Sequence, residues 1–134
     1  MKWRESGFTL IELIAIIVIL GVIGTTASSR FTDGEIASVQ ASRDDLVAAL
    51  FFAQQLAMAR DNIQVTVAAT SVNVTENGTA LSDSGYPLNF ASGVTASAAA
   101  FNYDKLGRTN PTAITLTSDG TSATVNVSGS GYAY

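Results

Sequence analysis

An apolar segment from residue 8 to about residue 27 constrains this chain more than any other feature. Within it, residues 13–23 form a run of eleven without a polar side chain. About 20 residues in a helix, at 1.5 Å per residue, span the hydrocarbon core of a bilayer. One ionisable residue, Glu12, lies near the start of the segment. A charge at bilayer depth costs about 2.5–3.5 kcal/mol on insertion scales, so its presence indicates a function.

A secretory signal peptide and a plain membrane anchor are two other interpretations of this segment. A secretory signal combines a basic start, an apolar core and a small-residue cleavage site, for which residues 25–29 are a candidate. Glu12 argues against a secretory signal, because a carboxylate inside the apolar core weakens one. A plain anchor has the right length, but it gives no reason for a charge four residues after a Gly-Phe junction.

Composition excludes several classes of function. The 134-residue chain contains no cysteine and no histidine, and its formal charge is −4. Disulfides, thiolate chemistry, a zinc site and a Ser–His pair are therefore excluded. The negative net charge gives no support for nucleic-acid binding, because nucleic acids are bound by basic patches. Acidic residues are few and scattered, so we expect no enzyme, no cofactor and no metal site.

A second helix is predicted at about residues 35–61. Its apolar residues recur at spacings of three, four or seven, as on one face of an amphipathic helix, and only Arg43 interrupts them. They are Ile36, Val39, Leu46, Leu50, Ala53 and Ala57. Residues 32–35, Thr-Asp-Gly-Glu, offer an N-cap with an acidic first turn. Whether Phe31 joins the two helical segments into one rod or marks a bend stays open.

Residues 63–134 are typical of β structure. Residues 63–67 and 72–75 alternate apolar and polar side chains and are predicted to pair. Asn77-Gly78 and the triplet 83–85 are turn signals, and a further turn is expected at 106–108. Between them, at about 94–103, we expect one strand.

The clearest hairpin covers residues 112–127. Asp119-Gly120 suits a two-residue type I′ turn. The resulting register pairs Leu116 with Ala123 and Ile114 with Val125. All four side chains then fall on one face, so the turn and the hydrophobic pattern agree.

The N-terminus resembles a known export signal. Residues 7–13, Gly-Phe-Thr-Leu-Ile-Glu-Leu, follow a seven-residue leader that carries Lys2 and Arg4. This arrangement is similar to the type III signal of type IV prepilins and type II secretion pseudopilins. The resemblance implies cleavage after Gly7 by a prepilin peptidase and N-methylation of the new N-terminal residue, Phe8. It also implies that Glu12 pairs with the Phe8 amine of a neighbouring subunit during assembly.

Two further segments narrow the resemblance. Residues 46–60, with Gln54 and Gln55 at their centre, resemble the helix of minor pilins and pseudopilins of the GspH/FimT type. Residues 101–108 and the hairpin that follows are similar to another segment of that group. Both also resemble a minor pilin of the mannose-sensitive haemagglutinin (MSHA) pilus. The chain departs from major pilins in having no cysteine and no proline before Pro87.

These observations predict an α+β fold, with a long N-terminal helix packed on a small antiparallel sheet. The expected domains are a cleaved leader at 1–7, a hydrophobic membrane and filament-core helix at 8–28, and a periplasmic or extracellular domain at 29–134. We expect a minor pilin of a type IV pilus, held in the inner membrane before it joins other pilin subunits. A type II secretion pseudopilin is the alternative. A secreted β-domain binding protein cut after Ala27 is the third hypothesis.

Overall fold

The computed structural model describes residues 8–134, apart from the side chains of residues 25–33. It contains one long α-helix, α1 (Leu10–Ala59), followed by eight short strands and one 3₁₀ helix (Ser82–Ser84). The predicted α+β class is confirmed, because α1 and antiparallel sheets share one core. The chain divides into two compact units, Met1–Gly34 and Glu35–Tyr134.

The helix continues through residues 32–35, where the sequence offers a cap. α1 is assigned as one α-helix of 50 residues, so of the two alternatives left open at Phe31 the continuous helix is observed, and the candidate cap at residues 32–35 does not begin a helix. Asp33 and Gly34 each lower helix propensity by no more than about 1 kcal/mol. A helix that is already nucleated gains a hydrogen bond with every residue added, so such residues are tolerated inside it.

The predicted stripe of α1 is buried with one exception. Val39, Leu46, Leu50, Ala53 and Ala57 are at most 1% exposed, whereas Ile36 is 44% exposed. The gap in the stripe is filled by Ser42, which is fully buried and accepts a hydrogen bond from the backbone N–H of Ala91 at 3.0 Å. That bond satisfies the hydroxyl and ties the helix to a loop.

The first sheet has five antiparallel strands. They are β1 (Ile63–Val67), β2 (Ser71–Glu76), β3 (Thr79–Ala80), β4 (Leu88–Asn89) and β6 (Ala99–Asn102). The order is β3-β2-β1-β6, so β1 lies between β2 and β6, and β4 also pairs with β2. The predicted pairing of β1 with β2 is confirmed, with Val65 opposite Val74 and Val67 opposite Val72. Asn77-Gly78 forms the next turn, as predicted.

The second sheet has three antiparallel strands, β5 (Thr95–Ala96), β7 (Thr112–Ser118) and β8 (Thr121–Val127), in the order β5-β7-β8. The predicted hairpin is confirmed, with Leu116 opposite Ala123 and Ile114 opposite Val125. Its turn has positive φ at Asp119 (42°) and Gly120 (84°), as a type I′ turn requires.

The prediction of one strand at 94–103 is wrong. β5 pairs with β7 in the second sheet, whereas β6 pairs with β1 in the first. Ser97 lies between them, and its hydroxyl accepts a hydrogen bond from the backbone N–H of Thr115 at 3.0 Å. A serine that binds the backbone in this way provides an alternative to the ladder, so the chain can leave one sheet and enter the other.

The segment after β8 folds back along that strand. An isolated bridge joins Val127 to Ala133. Asn126 and Tyr134 exchange two backbone hydrogen bonds of 2.8 and 2.9 Å. The ring of Tyr132 meets Phe51 of α1 edge-on, with 5.5 Å between ring centroids.

Gln54 ties α1 to two loops. Its side-chain Nε2 donates to the carbonyl oxygen of Gly107 at 3.2 Å and to that of Ser130 at 2.9 Å. The backbone of Gly131 lies so close to Gly107 that a Cβ atom on Gly131 would overlap the Gly107 carbonyl oxygen. The loop that contains Gly107 and the loop that contains Ser130 and Gly131 therefore pack backbone to backbone, and the Gln54 side-chain amide bonds to both.

Asp104 organises the turn predicted at 106–108, which is confirmed. One carboxylate oxygen accepts hydrogen bonds from the backbone N–H groups of Leu106 (2.9 Å) and Arg108 (2.8 Å). The other oxygen accepts from Nε of Arg108 at 2.8 Å. These bonds, led by the one from the Arg108 backbone, hold the pKa of Asp104 below its usual value.

We predict that Gly131→Ala lowers the free energy of unfolding by about 2–4 kcal/mol, measured by denaturant titration. Gly131 has φ of 83°, which strains an L-residue, and the added methyl also collides with the Gly107 carbonyl. Gly120→Ala is the matched control, because its φ is 84° but an added Cβ would meet no atom within 4 Å. The control should lose only about 1–2 kcal/mol. Equal losses would show that the close approach is unimportant.

We predict a pH-dependent stability difference between the wild type and Asp104→Asn. Because the folded pKa lies below the ordinary 3.8, the stabilisation by Asp104 is fully present above that value. It is lost as the pH falls through the folded pKa. Denaturant titrations should therefore give a constant difference at neutral pH that shrinks in acid. A difference that stays constant down to the lowest accessible pH would contradict the assignment of these bonds to the ionised carboxylate.

Candidate functional site at the N-terminus

The candidate site begins at Phe8. The predicted leader 1–7, including Gly7 before the expected cleavage point, lies outside the described residues. Phe8 precedes the helix and is 79% exposed. Its backbone nitrogen, which would become the α-amine after cleavage, thus belongs to an accessible residue.

Thr9 caps the N-terminus of α1. The backbone N–H of Glu12 lies 3.3 Å from the Thr9 hydroxyl and 3.1 Å from the Thr9 carbonyl oxygen. The N–H of Leu13 also donates to that carbonyl, at 3.2 Å. A threonine whose hydroxyl accepts from an N–H three residues later is an N-cap. A glutamate at that third position completes the sequence pattern of a capping box.

Glu12 therefore lies in the first turn of α1. The unpaired N–H groups of a helix N-terminus amount to roughly half a positive charge, which favours a carboxylate there. Among the described residues, Glu12 has no ion-pair partner. The carboxylate is thus positioned by the first turn of the helix.

The apolar side chains that follow Glu12 are exposed. Those of Phe8 and of the large aliphatic residues in 10–23 are between 42% and 79% exposed. They occupy consecutive positions, so they cover every side of the helix rather than one stripe. A helix that is hydrophobic all round is normally buried, either in a large core or in a membrane. These side chains thus form a broad apolar surface on the first part of α1.

In the part of the chain that the structure describes, no helix is both long enough and apolar enough to cross a membrane. Within that part there is also no cluster of three or more acidic side chains that could hold a metal ion.

The structure adds Thr9 to the residues expected from sequence. Glu12 is predicted from its charge inside an apolar segment, and Phe8 is implied by the resemblance to prepilins; in the structure they lie on either side of this cap. The signal for Thr9 is present in the sequence, because Thr-Leu-Ile-Glu at 9–12 has the spacing of a capping box.

Comparison with known protein families found a match at the N-terminus of the chain. Residues 4–28 match the prokaryotic N-terminal methylation motif. No curated protein and no solved structure matches the chain. The matched motif is a prepilin signal of the type IV pilin kind, typical of structural subunits, and it marks the chain as a substrate of prepilin peptidase.

Proposed function

We propose that this protein is a minor pilin, a structural subunit of a type IV pilus such as one of the MSHA type. The observation that carries the proposal is the methylation motif at residues 4–28, which includes a helix with exposed apolar side chains and Glu12 in its first turn. In this proposal, prepilin peptidase removes residues 1–7 and the new N-terminal Phe8 is methylated.

The precursor waits in the inner membrane before assembly. Residues 8–28 form its hydrophobic anchor, and residues 29–134 lie on the periplasmic side. The exposed apolar side chains around the helix support this, because lipid or neighbouring helices are the covers that such a surface fits. Moving from lipid into a bundle of pilin helices exchanges one apolar surrounding for another. Packing and polar contacts, rather than new burial, then determine which neighbour is chosen.

Glu12 supplies the polar contact. Cleavage after Gly7 leaves a positively charged amine on Phe8, and a carboxylate four residues later lies at a similar depth in a neighbouring subunit. Opposite charges attract far more strongly in a low-dielectric surrounding than in water. Pairing the amine of one subunit with Glu12 of the next offsets the cost of burying each charge. The helix N-terminus around Glu12 favours a negative charge at that position.

The narrower resemblance to the GspH/FimT type is part of the proposal. The two segments on which that resemblance depends, 46–60 and 101–108, contact each other through the hydrogen bond from Gln54 to Gly107. A type II secretion pseudopilin belongs to the same group. Deleting the gene separates the two functions, because loss of a minor pilin reduces surface pili whereas loss of a pseudopilin retains exported enzymes in the periplasm.

We predict that Gly7→Leu leaves an uncut, membrane-bound precursor. The peptidase must fit the small residue before the cut, and leucine adds a bulky side chain there. Immunoblots of membrane fractions distinguish precursor from mature protein by size. Gly21→Leu is the matched control, because a Cβ added there would meet no atom within 4 Å, and it should be cut normally. Mature-sized protein from Gly7→Leu would contradict cleavage at this position.

We predict that Glu12→Ala and Glu12→Gln are cleaved and reach normal levels in the membrane but enter filaments about tenfold less, or not at all. Each removes the carboxylate that pairs with the Phe8 amine of a neighbour, and an unpaired buried charge costs several kcal/mol. The measurement is the ratio of variant protein in sheared filaments to that in membranes.

Glu35→Gln is the matched control, since it removes a carboxylate from the same helix outside the motif. It should enter filaments at the wild-type ratio. Normal incorporation of Glu12→Ala would remove the ion pair from the mechanism while leaving cleavage after Gly7 intact.

A further inference from the structure

An open pocket at the start of β1 is lined mainly by side-chain amides. Asn62, Gln64, Asn77 and Asn102 surround a volume of about 490 Å³, and Tyr103 also lines it. This volume is within the usual range for small-molecule sites. The four amides come from three places in the chain that meet because β1 pairs with β2 on one side and with β6 on the other.

The amides of Asn62 and Asn77 are held in place by each other. Both residues have positive φ values, 55° and 52°, which asparagine tolerates better than most residues. Nδ2 of Asn62 donates to Oδ1 of Asn77 at 2.8 Å. The backbone N–H of Asn77 also donates to the carbonyl of Asn62 at 3.1 Å. Since an amide carries two donor hydrogens and an acceptor oxygen, this pair keeps hydrogen-bonding capacity for a ligand.

Gln64 and Asn102 form the other half of the pocket. They lie directly opposite each other in the β1–β6 register, so both side chains are on the same face of the sheet. Their neighbours Ile63 and Phe101 are buried on the opposite face, in the core. In the described part of the chain, neither side-chain amide is hydrogen-bonded to another protein group. Two adjacent amides with free donors and acceptors thus face solvent.

Tyr103 borders the pocket from the core side. Its backbone N–H donates to the carbonyl of Ile63 at 3.2 Å, and its side chain, only 7% exposed, belongs to the buried cluster with Ile63 and Phe101. The ring therefore supports the strands beneath the pocket, and the side-chain amides are the polar groups that a ligand can reach.

The surroundings of the pocket are electrically neutral. No charged side chain is among the described residues that line it. Charged residues close in sequence to the lining residues are paired, Arg60 with Glu76, Lys105 with Asp61 and Arg108 with Asp104, each at 2.8 Å. Phosphates and carboxylates are bound by free arginine or lysine, so an anionic ligand does not fit. β1 itself offers no edge to a peptide strand, because it already has neighbours on both sides.

We propose that this amide pocket binds one neutral sugar unit, either free or at the end of a glycan. Each sugar hydroxyl both donates and accepts, and a side-chain amide does the same through its NH₂ and its oxygen. The proposal is independent of the filament function, because it uses only residues 62–103 and none of the N-terminal site.

The test is chemical-shift mapping by NMR on the full-length protein in detergent micelles. The probes are glucose, galactose and N-acetylglucosamine, each alone and as its methyl glycoside. We expect at least one to shift the side-chain NH₂ signals of Gln64, Asn77 and Asn102. Binding of the methyl glycoside identifies the terminal unit of a glycan, and binding of the free sugar alone identifies a soluble sugar.

Glucuronate and glucose 6-phosphate are the charged controls and should bind at least about tenfold more weakly, since the site offers no cation. Equal binding of the charged probes, shifts confined to another surface, or no shift with any neutral sugar would each overturn the proposal.

A double variant, Gln64→Leu with Asn102→Leu, should lose affinity at least about tenfold, because leucine is of similar size but cannot hydrogen-bond. Asn126→Leu, on the exposed face of β8, is the matched control and should bind like the wild type. Circular dichroism establishes that each variant is folded, and the wild-type shift map tests the proposal independently of them. Wild-type affinity in a folded double variant would also overturn it.

Discussion

The apolar stripe of α1 from Val39 to Ala57 is the contact on which the rest of the structure depends. The strands are short, from two to seven residues, and a short strand or an isolated hairpin has little stability of its own. Their inward side chains join those of the helix in one buried cluster. Ser42 and Gln54 extend this contact with hydrogen bonds from the helix to three loops. The helix therefore supplies both the apolar surface for the sheets and the polar anchors for their connections.

Those parts of the fold in which local and long-range signals agree were predictable from the sequence. In the hairpin at 112–127, the turn at Asp119-Gly120 and the alternation of apolar residues demand the same register. Where the chain changes sheets, no such agreement exists. Residues 94–103 are rich in alanine, and nothing in their pattern marks Ser97, where the strand that pairs with β7 ends and the chain passes to the strand that pairs with β1. Ser42 was missed for a similar reason, since a buried serine depends on a partner distant in sequence.

The candidate site was more accessible to sequence reasoning than the pocket. Phe8, Thr9 and Glu12 lie within five consecutive residues, so a short stretch of sequence contains both the motif that resembles a prepilin signal and the capping-box pattern at Thr9. The amides of the pocket come from segments that are 13 to 40 residues apart in the chain. They come together because of the strand order and register, and neither can be predicted from a short stretch of sequence. Sites of the second kind require the fold before they can be recognised.

The return of residues 128–134 along β8 has a consequence for how molecules of this protein meet. An outer strand with unpaired backbone groups is a template on which another chain can add a strand. Here Tyr134 and Ala133 occupy the last residues of β8, and the Tyr132 ring fixes them against Phe51. That stretch of the sheet is already paired and offers no ladder to a second molecule. A second molecule is thus hindered from adding a strand at that end of β8. Molecules that meet there would contact each other through side chains and not through backbone hydrogen bonds.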